Sequence, residues 1–165
     1  MLMTILDAER TYREGLVALV EARHVDAASC FEEAMQMERQ RGNGQPKMRY
    51  LSYYGLSVAL SQGATREAVQ ACEVAARREF FNADLFLNLG KVYMMAGRRS
   101  QGLAALERGL KLDPRHKGLR SYLRRMDRRR GRAFSWLRRG HPVNYWLGKV
   151  RSGGRRTGTQ VTARS

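Results

Sequence analysis

The sequence predicts an all-α fold, three two-helix units stacked in order and followed by an amphipathic closing helix and a basic tail. Three observations carry this prediction. Small and large apolar residues recur at fixed places every 34 positions along a chain of 165 residues. The composition favours helix, with only three prolines, abundant Ala, Leu, Arg and Met, and few runs of Val, Ile or Thr. Directly after the last unit, Leu119, Tyr122, Leu123 and Met126 fall on one helical face at i, i+3, i+4 and i+7. With 43% hydrophobic residues the chain has material for one domain and an extension.

The first unit, residues 8–41, places Gly15, Ala27, Phe31 and Ala34 at its eighth, twentieth, twenty-fourth and twenty-seventh positions, with Thr11 and Glu14 at the fourth and seventh. A Gly/Pro-punctuated loop, residues 42–48, separates it from the second unit. That unit, residues 49–82, keeps Gly63, Ala68, Cys72 and Ala75 in register, but its early glycine, Gly55, sits one place ahead of the eighth position. The third unit, residues 83–116, is the fullest. It has Phe86 at the fourth position, Leu89 and Gly90 at the seventh and eighth, Tyr93 at the eleventh, Gly97 at the fifteenth, Leu106 at the twenty-fourth and a closing Asp113-Pro114. Small residues at the eighth, twentieth and twenty-seventh positions let helices approach closely, and three such units are about the fewest that bury a continuous core. Residues 117–131 read as a capping helix with an apolar face for the last unit and arginines on the other, ended by Gly131.

The charge is divided as sharply as the pattern. Up to Pro114 there are 15 Lys+Arg against 14 Asp+Glu, a net of +1, whereas the last 51 residues carry 16 Lys+Arg and a single acid, Asp127, a net of +15. Residues 132–165 form a tail that starts aromatic and basic and turns to Gly, Ser, Thr and Arg after about residue 150, where disorder is expected. Phe134, Trp136, Leu137, Tyr145 and Trp146 are costly to leave in water, so the stretch 134–150 is expected to dock, first on the protein's own helices, with a partner or a membrane as the competing destination.

The 34-residue unit resembles the tetratricopeptide repeat, most fully at Phe86, Leu89, Gly90, Tyr93, Gly97, Leu106 and Asp113-Pro114, over roughly residues 8–116. It departs at Gly102 and Gly109, where the family usually has alanine, which weakens that helix by about 1 kcal/mol per glycine. The resemblance implies an α-solenoid whose first helices line a concave groove, chiefly through the second, fifth, ninth, twelfth and thirteenth positions. Transferred by register these are Glu9, Tyr12, Leu16, Leu19 and Val20, then Tyr50, Tyr53, Ser57, Leu60 and Ser61, then Asp84, Leu87, Lys91, Met94 and Met95. The candidates for contacts with a bound peptide are Tyr12, Leu16, Leu19, Tyr50, Tyr53, Leu60, Leu87, Lys91, Met94 and Met95. Family members that grip the acidic C-termini of heat-shock chaperones carry Lys and Asn where this chain has Tyr12, Leu16, Tyr54 and Asp84, so the resemblance does not extend to that role.

The function expected is therefore protein–protein interaction without catalysis, an apolar peptide or helix being held in the groove while the tail attaches to something anionic. A three-repeat secretion-type chaperone is a second reading within the family. The other class is nucleic-acid or ribosome association through Arg124, Arg125, Arg128, Arg129, Arg130, Arg132, Trp136, Arg138, Arg139, Tyr145, Trp146, Lys149 and Arg151, since arginine neutralises phosphate and aromatics stack on bases. An anionic membrane surface fits the same residues. No nucleophile elbow, phosphate loop or metal-ligand spacing is present; Gly42-Asn43-Gly44 lacks the lysine and strand of a phosphate cradle, and His24, His116 and His141 lie far apart. No enzyme activity and no cofactor or metal are expected. Cys30 and Cys72 read as reduced core thiols. MLMTILDAER lacks the basic start and long apolar core of a secretion signal and no stretch is long enough to span a bilayer, so a cytoplasmic location is the default.

Overall fold

A computed structural model describes residues 2–40 and 46–129 of the chain. Among them run seven helices and no strand: α1 Leu2–Val20, α2 His24–Gln40, α3 Met48–Gln62, α4 Arg66–Arg78, α5 Ala83–Met95, α6 Arg99–Leu112 and α7 Lys117–Arg129. None is long and apolar enough to cross a membrane. The helices pack as hairpins, α1 with α2, α3 with α4 and α5 with α6, and successive hairpins join through α2 on α3 and through α5 on both α3 and α4.

Local chemistry sets the helix ends. Thr65 caps α4 by accepting the Ala68 N–H at 3.2 Å, and Asn82 caps α5 by accepting the Asp84 N–H at 3.1 Å. α3 lacks a side-chain cap of its own. Carboxylates from two other places replace it: Glu38 of α2 accepts the Lys47 N–H at 2.8 Å, and Glu79, beyond α4, accepts the Met48 N–H at 3.3 Å. His116 caps α7, its Nδ1 accepting the Leu119 N–H at 3.1 Å. That bond places the ring proton on Nε2, which donates to Asp84 at 3.0 Å.

Two buried clusters hold the hairpins. Tyr12, Phe31, Ala34, Met35 and Tyr50 tie α1 and α2 to α3, whereas Leu56, Cys72, Leu85, Phe86, Leu89 and Val92 join α3 and α4 to α5. Leu119, in the first turn of α7, is fully buried and meets α6 where Gly109 leaves room, since a Cβ there would lie 2.8 Å from its Cδ1. Gly102 is equally constrained, with Met94 3.0 Å and the Gly90 carbonyl 3.2 Å from where its Cβ would be. The two glycines that depart from the family pattern are thus sites of close helix approach. Along α7, Leu119 and Leu123 are buried while Arg124 and Arg125 are exposed.

Both cysteines are free thiols. Cys72 is enclosed, and burial pushes its pKa up to about 12. A thiol that stays protonated and covered reacts only when the fold opens. A maleimide at neutral pH is therefore expected to label Cys30 on the native chain and Cys72 only on denaturation, with peptide mass spectrometry assigning the adducts; rapid labelling of Cys72 in buffer would place it outside the core.

Candidate interaction face

The small-residue pattern locates the face presented by α1, α3 and α5. Gly15, Gly55 and Gly90 make equivalent contacts, each added Cβ meeting the twenty-fourth-position side chain of the same hairpin: Phe31 at 2.8 Å, Cys72 at 2.9 Å and Leu106 at 2.6 Å. Gly55 is therefore the eighth residue of its unit in space, and α3 starts its unit at Met48, just as α5 does at Ala83. The second hairpin keeps Ala68, Cys72 and Ala75 in the original register because its first helix is longer, 15 residues against 13 in α5. One extra residue is absorbed between α3 and α4.

This corrects the residues assigned to the second unit's face. The equivalent positions are Arg49, Ser52, Leu56, Ala59 and Leu60, and the expected set of Tyr50, Tyr53, Ser57, Leu60 and Ser61 is one residue late except at Leu60, which moves from the twelfth position to the thirteenth. The tyrosines are turned accordingly. Tyr50 is 0% exposed, its ring centroid 4.8 Å from that of Tyr12, while Tyr53 stands 5.8 Å from Tyr12 and 5.6 Å from Phe31. Tyr12 is buried in the same cluster, and burial raises its hydroxyl pKa far above the ordinary tyrosine value. Tyr50 and Tyr12 are buried core side chains. Leu87 is buried as well, against the place where α7 carries Gly118.

What the corrected register aligns is charged at one end of the face and apolar at the other. Position two carries Glu9, Arg49 and Asp84, already engaged: Arg49 donates to Glu9 and lies 4.9 Å over the Tyr12 ring, Lys47 stands 3.6 Å from Glu9, and Asp84 holds His116. Position thirteen carries Val20, Leu60 and Met95, exposed by 88%, 40% and 41%. Three apolar side chains, all open to water, thus occupy one repeat-equivalent place near the C-terminal ends of α1, α3 and α5. Leu16 and Leu19 lie half-buried on α1, with Val17 exposed beside them. Lys91 is half-buried, and Met94 turns inward onto Gly102. Val20 is among the groove positions transferred by register but not among the peptide-contact candidates, and Val17 is in neither; both are exposed.

The basic candidates divide differently. Arg124 and Arg125 are exposed on α7, and Arg128 and Arg129 belong to its last turn. Arg130, Arg132, Trp136, Arg138, Arg139, Tyr145, Trp146, Lys149 and Arg151 lie outside the described residues, as does the expected docking of the stretch 134–150.

No family model matches the chain, and no curated protein matches it in sequence. Solved structures do match in fold. The Arabidopsis OM64 TPR domain aligns with a TM-score of 0.58 at 18% identity, over 76% of this chain and 98% of that domain. The Sgt2 TPR domain from Aspergillus fumigatus aligns with a TM-score of 0.59 at 13% identity, over 96% of this chain and 91% of that one. Packed helical hairpins, a glycine of each first helix against its own second helix, and likeness to two such domains agree: the chain has the tetratricopeptide-repeat fold.

Proposed function

We propose that this chain is a non-enzymatic protein-interaction module that holds an apolar segment of a partner along Val20, Leu60 and Met95, with the basic tail providing attachment to an anionic surface. The observation that carries the reading is this repeat-equivalent placement. Isolated exposed apolar residues are ordinary, but three at one equivalent position on successive units give a repeated apolar feature, the kind on which an amphipathic helix or extended peptide gains affinity. Leu16 and Leu19 on α1 add apolar surface beside Val20, and the thioether of Met95 adapts to partners of varied shape. The aligned charges at position two are paired within the chain, so they favour orientation of a ligand more than its retention.

Site-specific photo-crosslinking tests this. Benzoylphenylalanine placed at Leu60 or Met95 of the full-length chain in its host cells is expected to capture one common partner segment, while the same residue at Glu33, exposed on α2, captures none. Equal capture from all three positions would remove Val20, Leu60 and Met95 as the binding surface.

The uneven charge supports a second reading, attachment to nucleic acid, the ribosome or anionic lipid through the tail, because the last 51 residues hold a net +15 and the rest only +1. Counterion release makes such binding steeply salt-dependent: with six or more phosphates contacted, affinity falls by about 10³ or more between 50 and 200 mM salt. Titrating labelled RNA and anionic vesicles into the full chain and into a chain lacking residues 132–165 measures it. Binding that persists in the truncated chain at high salt would assign the anion site elsewhere.

A further inference from the structure

Helices α4, α5 and α6 enclose a cleft of about 470 Å³ that Val20, Leu60 and Met95 do not line. Its repeat-equivalent, about 340 Å³, lies between α2, α3 and α4, and comparing the two shows how the sequence has changed this one. At the twenty-eighth position the earlier cleft has Met35 and the later one Ala76, which leaves the space open. At the twenty-sixth position of the following unit Val74 is replaced by Arg108, and at the thirty-second Arg39 is replaced by Phe80, the place held by Pro114 in the third unit.

The result is an aromatic slot with a basic lip. Phe80 is 57% exposed and braced edge-on by Phe81, the ring centroids 5.8 Å apart. Phe86 forms the floor, with the Arg108 guanidinium 5.0 Å from its centroid, and Arg77 stands on the α4 side. The one carboxylate in the cleft, Glu73, is already held by the Tyr93 hydroxyl at 2.7 Å and by Arg98 at 4.0 Å. An exposed phenylalanine flanked by arginine is the combination that interface centres favour, since it offers apolar area together with bidentate donors.

We propose that this cleft is a second docking site, which receives an aromatic side chain from an acidic segment of a partner protein, the ring entering between Phe80 and Phe86 and the flanking carboxylates meeting Arg77 and Arg108. Charge selects this occupant. The chain's own tail, residues 132–165, carries 8 Lys+Arg and no acid, a net of +8, and a second copy carries +16, so both are repelled by the arginine lip, whereas an acidic segment is attracted to it.

The probe is a fluorescein-labelled dodecapeptide of Glu, Gly and Ser with a single central Phe, titrated into the full-length chain by fluorescence anisotropy at 150 mM salt. Saturable binding is expected, weakened at least about tenfold by Phe80→Ala or by Arg108→Glu in the protein, and by Phe→Ser in the peptide. Phe80 is exposed, so its variant keeps the fold, which circular dichroism verifies, and Leu60→Glu, outside the cleft, is expected to leave this affinity unchanged. Three results overturn the proposal: no saturable binding; binding indifferent to Phe80→Ala and lost with the tail, which assigns the peptide to the tail's charge; or a dimer, seen by sedimentation, that Phe80→Ala abolishes, which makes a second copy the occupant.

Discussion

Gly55→Val is expected to lower unfolding stability by roughly 3 kcal/mol or more, and Gly55→Ala by about 2 kcal/mol. Two effects oppose each other in the alanine variant. Alanine gains about 1 kcal/mol of helix propensity over glycine. Against this, its Cβ would lie 2.8 Å from the Ala68 carbonyl oxygen, 2.9 Å from the Cys72 Sγ and 3.0 Å from the Ala71 Cβ. The nearest of these is backbone, so relief requires α4 to move bodily, and α4 is packed on α5 as well as on α3. Overpacking wins for that reason. Chemical denaturation is the check: the midpoint falls while the slope stays constant. A midpoint equal to that of the parent chain would mean that α3 and α4 do not approach here, and the one-residue register shift of the second unit would fall with it. The contrast is with Gly63, where φ is +90° and nothing lies within 4 Å of an added Cβ, so a substitution there strains backbone instead of packing.

Tyr50→Ala is expected to cost about 3–5 kcal/mol, the range for deleting a fully buried aromatic ring. Tyr50 joins the first hairpin to the second: its ring packs on Tyr12, its hydroxyl donates to Glu9 at 3.1 Å, and Arg49 lies 5.3 Å over its face. Removing it opens a cavity between α1 and α3 and takes a partner from a carboxylate. Tyr50→Phe separates the two contributions, keeping the ring and losing the hydroxyl's bond to Glu9 and the longer one, 3.4 Å, that it accepts from Lys47 Nζ, for about 1.5–3 kcal/mol. Were Tyr50→Ala to be tolerated within about 0.5 kcal/mol, as an exposed contact residue would be, the original assignment of Tyr50 to the ligand face would be restored.

The fold was legible because the repeat states its own geometry. Gly90, Leu106 and Asp113-Pro114 fix one hairpin, and Gly15, Phe31 and Ala34 reproduce it in sequence that otherwise looks unrelated. The ligand face was legible only in part. The displaced Gly55 was visible in the sequence, but a single glycine out of place does not say whether the residue moved or the whole helix did; the contacts of Gly55 with Ala68 and Cys72 show that the helix did. Once α3 is shifted, Tyr50 and Tyr53 leave the face and Arg49 enters it. Nor could pattern alone distinguish an aromatic that lines a groove from one that fills the core between neighbouring first helices, because both sit on the same side of the helix. Phe80 escaped notice for another reason: it replaces a turn residue, where apolar periodicity carries no information.

The central claim, that Val20, Leu60 and Met95 together hold a partner's apolar segment, is tested most directly by methyl-resolved NMR. The chain is labelled at Val, Leu and Met methyls and titrated with the segment captured from Leu60, synthesised as a peptide. The account predicts that the Val20, Leu60 and Met95 methyls shift together with one binding curve, accompanied by Leu16 and Leu19, while those of the buried Leu85 and Leu106 stay in place. Shifts confined to α4 and α6, or a peptide that saturates without moving these three methyls, would contradict it.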